Sequence, residues 1–375
     1  MIEFRTRWTA AHGIAEITAQ IDDWDAASQG IDAPFPYCGR PYNLTALETY
    51  HQKDDPMLVC AYAEDEIAGV LALVKRPMVR LGQIIHEVGF PFNPNTIVNH
   101  PLIDVTNFDH VVSVATGLIE GAFASGADSL LLDHMPVGGR FAEAFLVAAR
   151  ALGMPCDMPM PARALHYGTL GGDWDAYLAS RSRNHRWQIK KAMRKVSDDP
   201  NIKVTRCDDR KSIYTHLEDW FSVERNSWQG GDSDTAMSDA DRFFHRQLIE
   251  NLPEQMLGDL WMVYVKEQPV AALRMLAAPG QVSVHTMHFD ANFKAEAPGA
   301  IAFHAMMQAA CDAGLVEVDM HGTTAFFSRY STGKREHQSL RIYRKGLRGI
   351  MLQKMRSGLK AVQEFKAAKA PVKAP

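Results

Sequence analysis

Two segments that lie 202 residues apart share one layout, and this internal similarity limits the folds open to the chain more than any other feature. Residues 62–69 (YAEDEIAG) and 264–271 (YVKEQPVA) each follow a short apolar run and lead into another. Apolar runs of this length, separated by a few charged or polar residues, predict two strands joined by a turn. The same hairpin is therefore predicted in both halves of the chain.

Each hairpin is followed by a predicted helix, a glycine and a strand that carries an aspartate. These residues are Gly126 and Asp133 in the first half, and Gly314 and Asp319 in the second. A repeat this long indicates a duplicated domain, because solenoid units run to only about 20–50 residues. Hairpins mixed with helices predict an α/β (α+β) fold with a mixed central sheet flanked by helices. Residues 1–30 and 210–228 are predicted to be helical.

The length of the chain also favours more than one domain. At 375 residues it exceeds the size of about 250–300 residues at which a single core stops growing. We predict an N-terminal domain at residues 1–160, a second domain at residues 161–345, and a basic amphipathic helix or tail at residues 346–375.

Cysteine usage and the N-terminus exclude several protein classes. The five cysteines lie far apart with no Cys-x-x-Cys spacing, so we expect neither a disulfide framework nor a zinc site, and no metal cofactor. The N-terminus lacks a basic start followed by an apolar run, so no signal peptide is predicted. Nowhere in the sequence do about 18 apolar residues follow one another without interruption, so no transmembrane helix is predicted. We expect a cytoplasmic protein.

Charge is distributed unevenly along the chain. The last 35 residues contain ten Lys or Arg and one acidic residue, Glu364, whereas the rest has 30 basic and 43 acidic residues. A basic tail on an acidic body predicts an anionic partner, either a membrane surface or nucleic acid. Apolar residues at 347, 351, 355, 359 and 362 form a helical stripe, typical of a helix on the cytoplasmic membrane face or one docked on the protein itself.

Residues 282–299 predict an open helix start. A predicted strand at 282–290 leads through a loop to Pro298 and Gly299. Proline is favoured at the first helical position, and glycine keeps the backbone bare beside it. The free N–H groups and positive dipole end of such a helix suit a pyrophosphate, such as that of coenzyme A. An ordinary strand–loop–helix connection explains the same pattern.

Four segments around this helix start carry a family resemblance: SRxxR at 182–186, ExxSWQG at 224–230, FD at 289–290 with APG at 297–299, and GxxxxDxxG at 314–322. They resemble the GNAT superfamily, and more closely its CelD/BcsL-type (cellulose-biosynthesis acetyltransferase-like) branch, whose duplicated domains are similar to those of FemAB peptidyltransferases. The resemblance covers residues 165–345 well and the first 160 only in layout. The family's pyrophosphate loop is reduced to Lys294, Ala297 and Gly299, and residues 326–330 (FFSRY) replace its Tyr-Lys pair.

The resemblance implies tandem GNAT-like domains (the acyl-CoA N-acyltransferase fold), with a non-catalytic first copy that shapes the acceptor pocket. It implies acyl transfer from acyl-CoA, or from an acyl-carrier protein, to an amine. The expected acceptor is membrane-associated: a sphingoid base or other amino-lipid, as in similar bacterial ceramide synthases, or an exopolysaccharide amino sugar. Two alternatives are an aminoacyl-tRNA-dependent FemAB-like transferase and a non-enzymatic scaffold in an envelope pathway. The acidic body, without a continuous basic groove, argues against nucleic acid.

The candidate bases are Glu224, His285, His288, Asp290 and His321, and Tyr330 is a candidate for protonating the thiolate. Glu224 lies one helical turn before Trp228, so both are expected to face the same cleft. The resemblance implies that this segment lies at the acceptor side. Strand alternation places His288 and Asp290 on one face and His285 on the other. A histidine near its usual pKa suits proton transfer at neutral pH. The alternatives are a structural histidine and a structural ion pair of Glu224, while the role of Tyr330 is implied by the family alone.

The other candidate residues would bind the two substrates. Asp319 and His321 join Trp228 at the acceptor side, with a structural brace as the alternative. Arg183 and Arg186 lie on a predicted basic helix, and guanidinium groups match phosphate geometry, although a solvated helix face explains them equally well. The expected donor-binding residues are Phe289, Lys294, Ala297, Gly299, Ala300, Arg183 and Arg186.

Overall fold

The protein is described by a computed structural model that covers residues 6–30, 36–80, 82–96, 98–103, 107–138, 140–227 and 237–369. For residues 28–30, 80 and 359–369 only the backbone is described. Thirteen strands within these residues form one mixed sheet, with helices on both faces. The predicted α/β class with a mixed sheet flanked by helices is confirmed.

The strands are numbered in chain order. They are β1 (Thr6–His12), β2 (Asp55–Ala63), β3 (Glu66–Arg80), β4 (Gln83–Gly89), β5 (Leu102–Ile103), β6 (Ser129–Pro136), β7 (Met160–Thr169), β8 (Ile202–Cys207), β9 (Leu260–Val265), β10 (Gln268–Ala278), β11 (Gln281–Phe289), β12 (Glu317–Asp319) and β13 (Gly333–Tyr343).

The helices are numbered in the same way. They are α1 (Gly13–Ala19), α2 (Ile21–Gly30), α3 (Arg40–Tyr50), α4 (Phe108–Ala124), α5 (Arg140–Ala151), α6 (Trp174–Ala179), α7 (Arg183–Asp198), α8 (Arg210–Thr215), α9 (Leu217–Arg225), α10 (Asp239–Asn251), α11 (Glu254–Leu257), α12 (Pro298–Asp312), α13 (Ala325–Tyr330) and α14 (Leu347–Lys369).

The sheet repeats one arrangement in its two halves. Its strand order is β1-β2-β3-β4-β6-β13-β7-β12-β11-β10-β9-β8, and β5 pairs with β3. Four antiparallel strands, β1–β4 or β8–β11, precede a parallel pair, β4 with β6 or β11 with β12. In the middle, β13 lies between β6 and β7, and β7 lies between β13 and β12. If the first half is taken as β1–β7 and the second half as β8–β13, each half places one strand inside the other's part of the sheet. A division of the chain at residue 160 stays a prediction.

A shared hydrophobic core holds the two halves together on one face of the sheet. Trp24 and Tyr42 from the first half and Trp220 and Phe244 from the second are fully buried in the same cluster. Separate clusters fill the opposite face, under α4 and α5 in the first half and under α12 in the second. Burial of such large side chains contributes about 1.5–3 kcal/mol each, so neither half keeps its core without the other.

Two local predictions were wrong. Residues 6–12 form the edge strand β1, because their alternating side chains pair along β2, whereas only the residues from Gly13 onward are helical. The single helix predicted at 210–228 is two helices, α8 and α9, separated at His216. Trp228 lies outside the described residues.

The tail is helical, as its spacing predicted. Leu347 and Met351 of the predicted stripe are exposed, while the neighbouring Leu352 packs on Ile85 and Tyr343. Arg348 forms an ion pair with Asp128 at 2.7 Å, which holds the start of α14 against the first half. Among the described residues, no helix has the length and apolar character needed to cross a membrane.

Candidate active site

A cavity opens where β11 and β12 stop pairing. The two parallel strands are in register only from Gln281 opposite Glu317 to Ser283 opposite Asp319. Beyond Ser283, the edge of β11 faces a cavity of ≈ 640 Å³ that passes from one face of the sheet to the other. An unpaired strand edge offers backbone N–H and C=O groups to an extended ligand. The second half therefore has a slot that suits a long, flexible molecule.

The first turn of α12 forms one end of this cavity. Ala297 precedes the helix with φ 55° and ψ 47°, a left-handed conformation, and has no side-chain cap. Among the described residues, no acceptor bonds the N–H groups of Gly299 and Ala300, and the first bond of the helix runs from Ile301 N to Ala297 O at 3.1 Å. These free amides and the positive end of the helix can hold an anion.

The equivalent helix of the first half is closed. Oδ1 of Asn107 accepts hydrogen bonds from the N–H groups of Asp109 (3.0 Å) and His110 (3.4 Å) at the start of α4. A side-chain cap of this kind occupies the donors that an anion would need. The two halves thus share a fold but differ at the helix start, and of the two equivalent helices α4 and α12 it is α12 that presents open amides to a cavity.

A second cavity of ≈ 390 Å³ continues on the other side of the α12 start. It shares Ala297, Ala300 and Phe326 with the first cavity. Its basic wall consists of Lys191 and Lys195 from α7 and Arg329 from α13. Lys195 Nζ donates to Ala295 O at 2.7 Å, which places its ammonium beside the open helix start.

The arginines expected to bind phosphate lie elsewhere. Arg183 is exposed and lines neither of these cavities, and Arg186 donates to Ala179 O (3.0 Å) and Arg181 O (2.6 Å), where it caps α6. A donor-binding role for the side chains of Arg183 and Arg186 therefore stays a prediction, and the basic residues nearest the α12 start lie further along the same helix. The spacing of Lys191 and Lys195, four residues apart on one face, is the signal that could have found the basic wall.

At the opposite end, the main cavity is polar. Glu224 is 1% exposed, and its Oε1 accepts from Met237 N at 2.8 Å. Its Oε2 has no partner among the described residues, nor do the ring nitrogens of His285 and His288 or the hydroxyl of Thr286. Burial lowers the pKa of His288 to about 4 and that of His285 well below its usual value. Both imidazoles are therefore neutral at pH 7 and able to accept a proton or a hydrogen bond.

A β-bulge changes the orientation predicted for His285. Arg274 pairs with Thr286 but Met275 pairs with Val284, so His285 is an extra residue in β11. A bulge breaks the alternation of side chains along a strand. The ring of His285 lies 5.2 Å from that of His245, on the same face as His288. The prediction that His285 points away from His288 was wrong.

A buried network lies behind the cavity wall. His321, which lines the cavity, has a left-handed backbone (φ 46°), and Asp319 Oδ1 accepts from its N–H at 3.0 Å. Nδ1 of His321 lies 3.1 Å from the hydroxyl of Tyr37, and Arg335 pairs with Asp319. Burial alone would raise the pKa of Asp319, but His321 and Arg335 together lower it.

Four further predicted residues take different positions. Phe289 and Lys294 line the main cavity, and the Phe289 ring packs against Gly299. Asp290 is buried outside the cavity wall, where its carboxylate accepts from Asn292 N at 2.8 Å, an arrangement that favours a turn-stabilising role. Tyr330 lines the second cavity with its hydroxyl bonded to His304, and burial raises its pKa.

Comparison with known proteins agrees with this geometry. Residues 183–330 match the sequence family described as an acetyltransferase (GNAT) domain. The crystal structure of FemX superimposes with a TM-score of 0.60 at 13% identity, over 88% of this chain and 97% of that one. The C-terminal domain of a putative lysylphosphatidylglycerol synthetase from Agrobacterium fabrum superimposes with a TM-score of 0.53 at 9% identity, over 90% of this chain and 95% of that one. L-PGS from Bacillus licheniformis superimposes with a TM-score of 0.50 at 11% identity, over 89% of this chain and 95% of that one.

No curated protein sequence matches the chain. The identities to the solved structures are low, so those structures show the fold alone. The domain match and the fold together define the chain as an acyltransferase with a GNAT fold. Among the described residues, no group of three or more His, Cys, Asp or Glu side chains is arranged to hold a metal ion.

Proposed function

We propose that the protein transfers an acyl group from acyl-CoA to the amine of a membrane-associated acceptor. The observation that carries the proposal is the main cavity, which joins an open, uncapped helix start to a set of unpartnered bases across a gap in the sheet. The thioester arm would lie along the unpaired edge of β11. Its diphosphate would bind the amides of Gly299 and Ala300, with Lys195 beside them.

The acceptor would enter at the end where Glu224 and His288 lie. The amine nitrogen attacks the thioester carbonyl carbon, the C–S bond breaks, and an amide and a thiolate form. The proton lost by the nitrogen goes to His288, which is neutral and unpartnered, while the Glu224 carboxylate orients the amine. General-base transfer of this kind contributes about 10²–10⁴ in rate. The thiolate then takes the proton from His288, which returns the imidazole to its neutral form, because Tyr330 lines the second cavity with its hydroxyl bonded to His304 and does not line the main cavity.

A lipid acceptor is supported by two features. The main cavity is largely lined by apolar side chains, including Met237, Met287 and Phe327, which suit a hydrocarbon chain. The start of α14 exposes Leu347 and Met351 within a basic segment, as in helices that bind anionic membrane surfaces. A sphingoid base or similar amino-lipid fits both features better than an exopolysaccharide amino sugar does.

Thiol release from acyl-CoAs of increasing chain length, with long-chain amines and glucosamine as acceptors, tests the proposal. We expect amine-dependent release with a long-chain amine. Absence of release with every acyl-CoA would remove CoA as the donor and leave an acyl-carrier protein to be tried. If CoA also fails to raise the melting temperature, the non-enzymatic scaffold becomes the better explanation, since a ligand of the native state stabilises it by mass action.

A second candidate function is aminoacyl transfer from tRNA. It is favoured by the outer face of α7, where Lys190, Lys191 and Arg194 are exposed. RNA binding through such residues weakens steeply as salt rises. Filter binding with uncharged tRNA therefore discriminates: an affinity that is absent, or that is the same at 50 and 200 mM salt, rules this candidate out.

A further inference from the structure

A polar groove of ≈ 470 Å³ lies between the first turn of α7 and α13. Every residue that lines it is polar and none is acidic. Two of them are arginines, Arg181 and Arg329, and the others include Ser182, Asn184 and Gln188. Neither the GNAT fold nor the chemistry proposed above requires this groove.

The groove continues the path of the donor. His185, Gln188 and Arg329 line both the groove and the second cavity. The second cavity in turn shares Ala297 and Ala300 with the main cavity. The three cavities therefore adjoin one another in a row, from the gap between β11 and β12, past the start of α12, to the groove at the start of α7.

Positive charge in the groove is unneutralised. Arg181 donates to the carbonyl oxygens of Tyr330 (3.3 Å) and Ser331 (2.5 Å), both uncharged. Among the described residues, no carboxylate pairs with Arg181 or Arg329. Burial, followed by the charges of Arg329 and Arg181, lowers the pKa of His185, and the nearby amide of Gln188 opposes this only in part.

Two further features point to an anionic ligand. At the start of α7, Ser182 Oγ accepts only from His185 N (3.3 Å), so within the described chain the N–H groups of Arg183 and Asn184 lack an acceptor. His185 is 5% exposed, lines the groove, and has a hydrogen bond to neither ring nitrogen. Buried polar atoms without partners are rare in native proteins, and a bound phosphate would supply them with acceptors.

We propose that this groove binds the phosphate monoester on the ribose of the donor nucleotide, the 3′-phosphate of coenzyme A. The proposal rests on the acyl-CoA-dependent function above. With the thioester arm in the gap and the diphosphate at α12, the part of the donor beyond the diphosphate is the phosphorylated nucleoside. Arg329 and Arg181 pair with the dianion, and the amides at the start of α7 complete its shell.

The same chemistry, a ribose phosphate, also occurs in RNA, so the test separates the two sources. The probes are one acyl-CoA and the matching acyl-3′-dephospho-CoA, with a long-chain amine as acceptor. For the wild type we expect a KM at least about tenfold lower for acyl-CoA, with similar kcat, because two guanidinium groups and a helix start contact the phosphate. In Arg329→Gln the two KM values should come within about twofold.

Arg163→Gln is the control, since Arg163 is an exposed arginine on β7 that lines none of these three cavities. It should keep the wild-type ratio of KM values. Equal KM values for the two thioesters in the wild type overturn the proposal. The proposal is also overturned if Arg329→Gln keeps the wild-type ratio of the two KM values.

Binding of adenosine 3′,5′-bisphosphate, measured by calorimetry, keeps the test independent of turnover. Tight binding by the wild type and at least tenfold weaker binding by Arg329→Gln support the groove even if neither thioester is used, and in that event only the proposed transferase function fails. If a short RNA competes at lower concentration than the bisphosphate, and loses this advantage in Arg329→Gln, the ligand is RNA and the assignment to coenzyme A is wrong.

Discussion

The hydroxyl of Tyr37 lies 3.1 Å from Nδ1 of His321, although the two residues are 284 positions apart in the chain. Tyr37 belongs to the first half of the protein, and His321 lines the cavity of the second. Asp319 and Arg335 continue the contact into the sheet. The first half therefore holds a wall of the candidate active site in place, in addition to sharing a core with the second.

Tyr37→Phe tests this contact. The substitution keeps the ring but removes the hydroxyl that bonds buried Nδ1 of His321, and loss of a buried hydrogen bond destabilises by about 1–3 kcal/mol. Urea unfolding measures the free energy, and kcat/KM for acyl transfer should fall with it because the cavity wall loses its support. Tyr214→Phe, which removes a hydroxyl bonded to Arg246 O near the surface, is the control and should cost at most about 1 kcal/mol. Equal losses in the two variants would contradict the special role of Tyr37.

The start of α12 gives a second prediction. A Cβ added at position 299 would lie 3.3 Å from Cδ1 of Phe289, beside the free amides. Gly299→Ala should therefore raise the KM for acyl-CoA severalfold, although alanine is the better helix former by about 1 kcal/mol. Gly358→Ala, in α14 with no atom within 4 Å of its added Cβ, is the control and should stabilise without changing KM. An unchanged KM in Gly299→Ala would exclude diphosphate binding at this turn.

Substitutions of His288 and Glu224, at the acceptor end of the cavity, should affect catalysis differently from a substitution of the neighbouring Asp290. His288→Gln should lower kcat by about 10²-fold or more, since it removes the proton acceptor. Glu224→Gln should raise the KM for the amine, because the carboxylate attracts an ammonium group. Asp290→Ala should instead destabilise the fold by about 0.5–2 kcal/mol through loss of a cap to Asn292 N, with kcat nearly unchanged. A larger fall in kcat for Asp290→Ala than for His288→Gln would reverse these assignments.

Local patterns predicted the elements that carry the donor site but not the positions that depend on tertiary contacts. The Pro298–Gly299 helix start and the strand before it follow from short-range preferences, and the structure has both. The bulge at His285 is set by pairing with β10, and the capping role of Arg186 by the way α6 ends. The strands β7 and β13 gain partners only from the exchange between halves, which no local pattern encodes.

Buried neutral histidines give the last prediction, a loss of stability in acid. Burial lowers the pKa of His245 to about 3, whereas an unfolded chain has a histidine pKa of about 6.5. Below pH 6.5 the unfolded state therefore binds a proton at this site that the native state does not, so this site alone lowers the free energy of unfolding by about 1.4 kcal/mol for each unit of falling pH, until pH 3 is reached. Burial also lowers the pKa of His100, His288 and His337 to about 4 and that of His304 to about 3, so these histidines add to the same slope. Urea unfolding at pH 6 and pH 5 measures the slope, which His245→Phe should reduce by the equivalent of one proton.

The control is His86→Gln, at an exposed histidine, which should leave the slope of the unfolding free energy against pH unchanged. If His245→Phe keeps the wild-type slope, the imidazole of His245 is not the neutral buried group that its packing against Trp220 and His285 indicates.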